Sequence, residues 1–409
     1  MPAARRLLGN LSLVLLSTAL CLAAVEAAAR VARRYQKGGK EQRTRLQYTE
    51  YDPLLGWKHR PGARAQYERR EYTTEVAINS RGLRDRERAY TAAPGTFRVL
   101  ALGDSFIEAF GVPLPETVTQ VLERSMTSAG CVFEALNGGT VGYSTDQEFL
   151  LYREEGYKYS PQVVVLFVYY NDVLYNAAAT NLQLPKPLLS FKGGRVQVVN
   201  FPVPRRPPDR PADPNATEAS VRGSVALDWI GERLERSHPR AYNALASLGA
   251  WPPTRTQALT SELRVYMRRP PADVRQGWAM TARIVEMLAQ EAWARGSRLA
   301  LVYIPSRMEV SDRDWELTRL RYGLDDAQWD RGAVMARLRD VAAAAHLPLL
   351  DLTPAMRNAT GVLAWPYYDY DSHWNALGHR VAARELERFL RQQGWLPACR
   401  NAAPAAASR

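Results

Sequence analysis

Four short segments of the chain carry side chains whose types and order suit acyl transfer through a serine. Ser105 follows a predicted strand on a tight Gly-Asp-Ser turn, where a nucleophile is exposed and a helix N-terminus supplies N–H groups for a developing oxyanion. Gly142 and Asn171 follow the next two predicted strands and could add a backbone N–H and a side-chain amide as donors. After the last strand, Asp371 and His373 supply a carboxylate and an imidazole, the orienter and the base that a serine nucleophile needs.

Each segment alone also has an ordinary structural interpretation. A Gly-Asp-Ser turn is a common helix cap, Asn171 lies in a typical turn after an apolar strand, and a histidine beside Trp374 is more often packed than catalytic. The combination is more specific, because Ser, Gly, Asn and His each come at the carboxyl end of a different predicted strand. Ligands bind beyond these ends in an open parallel sheet, so we expect the four segments to form one site.

The elements that must position these residues alternate regularly between strands and helices. Compact apolar runs predict strands over residues 97–102, 132–137, 163–169, 298–304 and 347–352. Periodic apolar patterns predict helices over about 116–128, 145–156, 273–294, 327–345 and 376–393. The third strand is apolar throughout, as expected of a strand buried on both faces. The pattern predicts an α/β fold with a doubly wound parallel sheet.

Outside this pattern, the composition suggests a modular organisation. Residues 46–97 predict a small β-rich lead-in, because polar and apolar residues alternate in "YTTEVAIN". One α/β domain is expected over 98–395, opened at about 176–270 by an insertion that could cap the site. The insertion holds a predicted hairpin with Gly193 and Gly194 at its turn, a proline-rich loop over 202–214 and a helical patch near 222–248. The tail 396–409 is expected to be flexible.

The four segments resemble the sequence blocks of the SGNH hydrolases, the GDSL-type esterase and lipase family. The resemblance covers about residues 98–175 and 275–393 and implies a flavodoxin-like SGNH fold. It implies that Ser105 is the nucleophile and His373 the base, and that the oxyanion hole is formed by the Ser105 N–H, the Gly142 N–H and the Asn171 amide. It implies no cofactor and no metal, and the sequence has no ligand spacing such as CxxC or HExxH.

Two positions depart from the usual family pattern. Tyr169 stands where the third block has a glycine, which we expect to alter packing rather than to abolish the Asn donor. Tyr370 stands where an Asp-x-x-His spacing would place the carboxylate. Asp371 instead fits the Asp-x-His variant, which resembles the SGNH domains of polysaccharide O-acetyltransferases. Asp371 is therefore the expected orienter of His373, and Asp369 is the alternative.

These features favour a serine esterase that removes O-acyl groups, such as acetyl groups, from a small molecule or a glycan. A second interpretation is an O-acyltransferase that modifies an exported polysaccharide and receives acyl groups from a membrane protein. A third is a non-catalytic glycan-binding protein on the same fold. Several aromatic residues could stack on sugar rings or simply pack, namely Trp251, Trp365, Tyr367, Tyr368 and Trp374.

A 19-residue apolar segment, residues 7–25, has the length of a bilayer-spanning helix of about 28 Å. We expect a single-pass anchor with a basic tether over 1–45, and the alternative is a cleaved signal peptide. The family resemblance favours a bacterial inner-membrane protein with a periplasmic body. The charge opposes this orientation, because seven Lys or Arg follow the segment and two precede it.

The net charge of +12 does not indicate a nucleic-acid partner. Residues 1–45 carry +7 of it, and the remaining residues hold only +5. The three cysteines leave two possibilities open. Cys131 and Cys399 could form one disulfide in an oxidising compartment, or both could be buried thiols.

Overall fold

The computed structural model describes residues 13, 16–31, 39–182, 184–193, 195–205, 224–237, 241–242, 245, 262–322, 324–361 and 364–399. The chain divides into two compact units. The first comprises Met1–Arg43, Arg210–Ser261 and Leu317–Leu324. The second comprises Thr44–Asp209, Glu262–Glu316 and Asp325–Arg409 and contains the sheet and every predicted site residue.

The second unit is built on a five-stranded parallel sheet. From one edge to the other, its strands cover Phe133–Gly139, Phe97–Gly103, Val163–Val168, Arg298–Tyr303 and Leu349–Asp351. The strands of the described residues are β1 (Thr49–Asp52), β2 (Gly56–His59), β3 (Arg64–Glu68), β4 (Thr73–Ala77), β5 (Phe97–Gly103), β6 (Phe133–Gly139), β7 (Val163–Val168), β8 (Thr180–Asn181), β9 (Leu184–Pro185), β10 (Leu189–Lys192), β11 (Arg195–Val198), β12 (Arg298–Tyr303) and β13 (Leu349–Asp351). In these labels, the order of the strands in the sheet is β6-β5-β7-β12-β13, which is the flavodoxin-like order 2-1-3-4-5. The prediction of an α/β fold with a doubly wound parallel sheet is confirmed.

The third predicted strand, β7, is apolar throughout because it lies in the middle of the sheet. All six residues of β7 are buried, and its neighbours β5 and β12 are buried along almost their whole length. Branched and aromatic side chains suit a strand that is covered on both faces. The strand order reverses between β5 and β7, which makes the carboxyl ends of these two strands the expected ligand-binding edge.

The predicted helices of the α/β pattern are present with shifted ends. After the helical stretch at residues 16–31, the α-helices of the described residues are α1 (Gly39–Tyr48), α2 (Ser105–Glu108), α3 (Val118–Ser128), α4 (Thr145–Glu154), α5 (Asp172–Tyr175), α6 (Val225–Ser237), α7 (Ala272–Ala294), α8 (Arg307–Val310), α9 (Asp312–Tyr322), α10 (Ala333–Ala344), α11 (Thr353–Asn358) and α12 (Ala376–Gln392). The helix predicted from residue 327 begins only at Ala333, because Asp325 and Asp330 cap local turns through their carboxylates. Helices α3 and α12 pack together, and α7 packs against α4 and α5.

The lead-in before the sheet consists of two antiparallel hairpins, β1–β2 and β3–β4. The alternation predicted in the lead-in is confirmed, because β4 buries every second side chain. In the insertion, the predicted hairpin is confirmed as β10–β11, with Lys192 paired to Arg195. The helical patch is described only as α6 and as residues 241, 242 and 245, and residues 206–214 of the proline-rich loop lie outside the described residues.

A helical stretch covers residues 16–31. Among the residues that the structure describes, no helix combines the length and the apolar character that a membrane span requires. Residues 7–12, 14 and 15 of the predicted anchor lie outside that part of the chain. Of the two possibilities for the cysteines, the structure has the disulfide between Cys131 and Cys399.

Candidate active site

The nucleophile candidate sits on the turn that links β5 to α2. Asp104 is the N-cap of α2, and its carboxylate accepts a hydrogen bond of 2.9 Å from the Phe106 N–H. Ser105 is the first residue of α2, so its N–H has no acceptor within the helix. The turn lies so close to β6 that a Cβ at Gly139 would come within 2.1 Å of the Glu108 nitrogen. The predicted Gly-Asp-Ser turn therefore presents a partly exposed serine at the carboxyl end of the sheet.

The structure brings the predicted base and its orienter to this serine. The Nε2 atom of His373 lies 2.8 Å from the Oγ atom of Ser105. The Nδ1 atom of His373 contacts Oδ1 of Asp371, whereas Asp369 is exposed. Of the two carboxylates considered from sequence, Asp371 is thus the one that contacts His373.

The imidazole is held in place by packing and by the backbone of its loop. The rings of Phe106 and Phe110 lie 4.8 and 5.0 Å from the His373 ring. The carbonyl of His373 accepts a hydrogen bond of 2.8 Å from the Tyr368 N–H. Asn375 caps α12 through the N–H groups of its first turn, as its position before a helical pattern predicts. The site loop is therefore fixed at both ends.

The Asp371 carboxylate has partners that the sequence did not indicate. The Tyr72 hydroxyl donates to Oδ2 of Asp371 over 2.5 Å, and Nε of Arg69 lies 3.6 Å from the same oxygen. Burial alone would raise the pKa of Asp371, but the hydrogen bond and charge of His373, the Tyr72 hydroxyl and the Arg69 charge hold it below the ordinary 3.8. Asp371 is therefore an anion that can stabilise an imidazolium.

The loop after β6 presents the predicted oxyanion glycine. Gly142 has φ +74°, and a Cβ there would come within 2.2 Å of a Leu182 methyl carbon, so only glycine fits. The carbonyl of Val141 accepts a hydrogen bond of 3.0 Å from the Trp57 indole. The peptide is planar and trans, so this bond directs the Gly142 N–H the opposite way. No described residue accepts a hydrogen bond from that N–H.

Asn171 follows β7 at the same edge of the sheet. The register pairs Gly103 with Gly139 and Leu102 with Leu166, so the turns after β5, β6 and β7 lie side by side. The Oδ1 atom of Asn171 is buried and has no hydrogen-bond partner among the described residues. Tyr169, which replaces the usual glycine, packs its ring 4.8 Å from that of Phe106. The substitution adds an aromatic contact beside the serine turn.

The loop after β6 that carries Gly142 is also held by a buried carboxylate that sequence reasoning missed. Glu108 is fully buried and accepts hydrogen bonds from the Val141 N–H and, over 3.0 Å, from the Tyr48 hydroxyl. The Nε2 atom of His59 lies 3.1 Å from the same carboxylate. Burial would raise the pKa of Glu108, but His59, the Val141 N–H and the charge of Arg84 hold it below the ordinary value.

Some of the predicted sugar-stacking residues are placed in the interior. Tyr367 and Trp374 are 2% and 1% exposed and belong to the core, so the stacking interpretation is wrong for both. Trp365 and Tyr368 are half-buried, and Trp251 lies outside the described residues. Within the described part of the chain, no group of three or more His, Cys, Asp or Glu side chains is arranged to hold a metal ion.

Comparison with known proteins agrees with the resemblance seen in the motifs. Residues 264–407 match the model of the family described as SGNH hydrolase-like domain, acetyltransferase AlgX. This range contains Asp371 and His373 and lies after Ser105, Gly142 and Asn171 in the chain. In sequence, no curated protein matches the chain significantly.

Similar solved structures are distant. They include TesA, with 12% identity, coverage of 72% of this chain and 98% of the other, and a TM-score of 0.38. A lipase/acylhydrolase from Enterococcus faecalis has 13% identity, coverage of 73% and 96%, and a TM-score of 0.36. A catalytic mutant of Axe2, an acetylxylan esterase from Geobacillus stearothermophilus, has 12% identity, coverage of 76% and 100%, and a TM-score of 0.37.

Proposed function

Because the chain carries an SGNH hydrolase-like domain, we propose that it is a serine esterase that acts on O-acyl esters, most simply acetyl esters, of a small molecule or a glycan. The proposed nucleophile is Ser105, the base is His373 and the orienter is Asp371. The observation that supports these roles is the 2.8 Å separation of Ser105 Oγ and His373 Nε2, with Asp371 on the other ring nitrogen.

In the first half-reaction, Ser105 Oγ attacks the carbonyl carbon of the ester while His373 Nε2 takes the hydroxyl proton. Asp371 accepts the Nδ1–H hydrogen bond, selects this tautomer and stabilises the imidazolium. When the tetrahedral intermediate breaks down, the bond between the carbonyl carbon and the alcohol oxygen is cleaved. His373 returns the proton to that oxygen, and the acyl group stays on Ser105.

Three proposed hydrogen-bond donors stabilise the negative charge that develops on the carbonyl oxygen. They are the N–H of Ser105, the N–H of Gly142 and the side-chain amide of Asn171. The position of Ser105 at the start of α2 and the Gly142 N–H, which has no acceptor among the described residues, support this assignment. Removal of one such donor typically costs about 2.7–4 kcal/mol of barrier.

The second half-reaction decides between hydrolysis and transfer. His373 takes a proton from the oxygen that attacks the acyl-enzyme and gives it back to Ser105. If this oxygen belongs to water, the protein is an esterase; if it belongs to a sugar hydroxyl, the protein is an O-acyltransferase. The match to the acetyltransferase family and the Asp-x-His spacing support the transferase as the second candidate.

We also propose a location for this chemistry. Residues 7–25 would anchor the chain in the bacterial inner membrane and place the body in the periplasm, where a membrane protein could donate acyl groups. The Cys131–Cys399 disulfide supports an oxidising compartment. The basic residues after the segment argue for the opposite orientation, and a periplasm-dependent reporter fused to the C-terminus distinguishes the two.

Ser105→Ala is the direct test of the proposed activity. We expect the hydrolysis of p-nitrophenyl acetate to fall about a thousandfold or more, because the attacking oxygen is removed. A fluorophosphonate probe should label the wild type and not the variant. Ser125→Ala is a matched control, since that hydroxyl is exposed and bonds Glu387 instead.

If wild type and Ser105→Ala are equally inert and neither is labelled, the serine-enzyme proposal is wrong and the non-catalytic glycan-binding interpretation takes its place. If the wild type is active, a glycan acceptor is added during turnover. Acylated glycan then identifies a transferase, and free acid alone identifies an esterase.

A further inference from the structure

The turn between β3 and β4 reaches across to the loop that carries Asp371. The Glu71 carboxylate accepts three hydrogen bonds from consecutive backbone N–H groups of this loop. They come from Asp369 over 2.6 Å, from Tyr370 over 2.8 Å and from Asp371 over 3.2 Å. One side chain of the lead-in therefore fixes the backbone immediately before His373.

Tyr72, the next residue of the same turn, binds one oxygen of the Asp371 carboxylate, and His373 binds the other. The Tyr72 hydroxyl donates to Oδ2, and Oδ1 contacts Nδ1 of His373. The Tyr72 ring lies 4.5 Å from the ring of Tyr368, which fixes its direction. A carboxylate can turn about its last torsion, so a bond to one oxygen holds the other in place.

Charge complements this arrangement. The Arg69 guanidinium lies 3.6 Å from Oδ2 and 5.1 Å above the Tyr67 ring, and its Nη2 donates to the Tyr67 hydroxyl over 3.1 Å. The Asp371 side chain is only 10% exposed, so water has little access to it. The hairpin turn therefore supplies the polar partners of the orienting carboxylate.

We propose that Tyr72 is a positioning residue for the reaction, which acts through Asp371 by holding its Oδ1 atom towards His373. The inference rests on the proposed serine chemistry and extends it to the lead-in. Tyr72 does not touch the reacting atoms. Its role is to keep the imidazole aligned and to share the charge of the carboxylate.

Tyr72→Phe tests this role because it removes the hydroxyl and keeps the ring. We expect kcat to fall about tenfold with little change in KM, the size of effect expected for one charge-assisted hydrogen bond. Without this donor, more negative charge stays on Oδ1 and the protonated imidazole is favoured. The acid limb of the kcat/KM profile should therefore move to higher pH.

A second readout does not depend on turnover. The Nδ1 proton of His373 should give a low-field proton resonance in the wild type, because it lies in a charge-assisted hydrogen bond. In Tyr72→Phe this resonance should shift or broaden. A purely structural role would lower the melting temperature without moving the resonance or the pH profile.

Two variants serve as controls. In Tyr90→Phe the lost hydroxyl also donates to a carboxylate, that of Glu155 over 2.8 Å, but away from the site. We expect wild-type activity. In Tyr368→Phe the lost hydroxyl lies beside Tyr72 but donates to the Gly111 carbonyl. We expect the acid limb of the kcat/KM profile of this variant to stay at the wild-type pH.

If Ser105 is required but Tyr72→Phe keeps the wild-type kcat, pH profile and resonance, the role of Tyr72 is refuted and the proposed function stands. The same holds if Tyr90→Phe loses as much activity as Tyr72→Phe. If the wild type neither turns over esters nor reacts with the fluorophosphonate, the proposed function fails and this inference fails with it.

Discussion

Residues that precede the sheet make contacts in both halves of the candidate site, but in environments of opposite character. The loop that carries Gly142 is held through Glu108 of α2, a fully buried carboxylate whose partners Tyr48 and His59 precede the sheet and are buried as well. The Asp371 loop is held by Glu71 and Tyr72, which remain partly exposed at the end of a hairpin.

The difference predicts what each half contributes. A buried carboxylate with several partners cannot be altered without leaving polar groups unpaired where water cannot reach them. A partly exposed carboxylate can be replaced in part by water. We therefore expect changes in the Glu108 network to act first on stability, and changes at the hairpin turn to act first on rate.

Glu108→Gln should have the largest effect. The amide carries no charge, so the buried Arg84 guanidinium loses its nearby anion, and the Tyr48 hydroxyl has to reverse its hydrogen bond to accept from the new N–H. We expect the free energy of unfolding to fall by about 3 kcal/mol or more. Chemical denaturation measures this loss, and esterase activity should fall with it because the Gly142 loop loses its support.

The pH dependence of the same variant has a definite sign. The pKa of Glu108 in the folded protein lies below 4.5, so its contribution to stability is present above that pH and is lost as the pH falls through the folded value. The variant should lose less stability on acidification than the wild type. Glu155→Gln is the control, a partly exposed carboxylate that bonds two tyrosines. If Glu155→Gln loses as much free energy of unfolding as Glu108→Gln, burial does not decide the effect and the distinction between buried and partly exposed carboxylates is contradicted.

Glu71→Gln should have a smaller effect and mainly on rate. Glutamine offers one acceptor oxygen where the carboxylate offers two, so part of the three-bond contact with the Asp371 loop is lost. We expect kcat/KM to fall about threefold, and the free energy of unfolding by less than about 1 kcal/mol. Steady-state kinetics and thermal unfolding measure the two effects.

The control for this variant lies on the next strand of the same hairpin. Glu75 is exposed and pairs with Arg64, which is exposed as well. Glu75→Gln should change neither rate nor stability measurably. A loss of stability in Glu71→Gln as large as that in Glu108→Gln would remove the difference between the two halves.

The sheet could be predicted from sequence because each of its strands is a compact apolar run that ends in a turn. The site edge followed from the rule that ligands bind beyond the carboxyl ends of parallel strands. Helix starts were less accurate where carboxylates cap local turns, as at Asp325 and Asp330 before α10. The sequence contains these residues but does not show which N–H each one will accept from.

The contact of Asp371 with His373 was predictable because only Ser372 lies between them, and the motif fixes their order. The partners of Asp371 were not predictable, since Tyr72 lies 299 positions away in the chain, in the turn between β3 and β4. The alternation in β4 marked a strand, but nothing in it indicated where the preceding turn would dock. Glu108 gave no signal either, because a buried glutamate in a short helix looks like a surface residue until the fold encloses it.

Asp104→Asn should have the smallest effect on activity. Asp104 is a second buried carboxylate, so this variant can be compared with the Glu108 variant. Burial raises the pKa of Asp104 from 3.8 to about 6, because the Phe106 N–H and the charge of His373 offset only part of the lost hydration. Its contribution to stability is present below pH 3.8 and is lost as the pH rises through about 6, opposite in sign to that of Glu108.

Asp104→Asn keeps the oxygen that caps Phe106 and cannot ionise. At neutral pH it should gain about 2–3 kcal/mol in the free energy of unfolding, since one pKa unit corresponds to about 1.4 kcal/mol. Its kcat/KM should stay within about threefold of the wild type. If denaturation shows the same pH dependence in the wild type and in Asp104→Asn, Asp104 does not titrate in this range, and the predicted contrast in pH dependence with Glu108 is wrong.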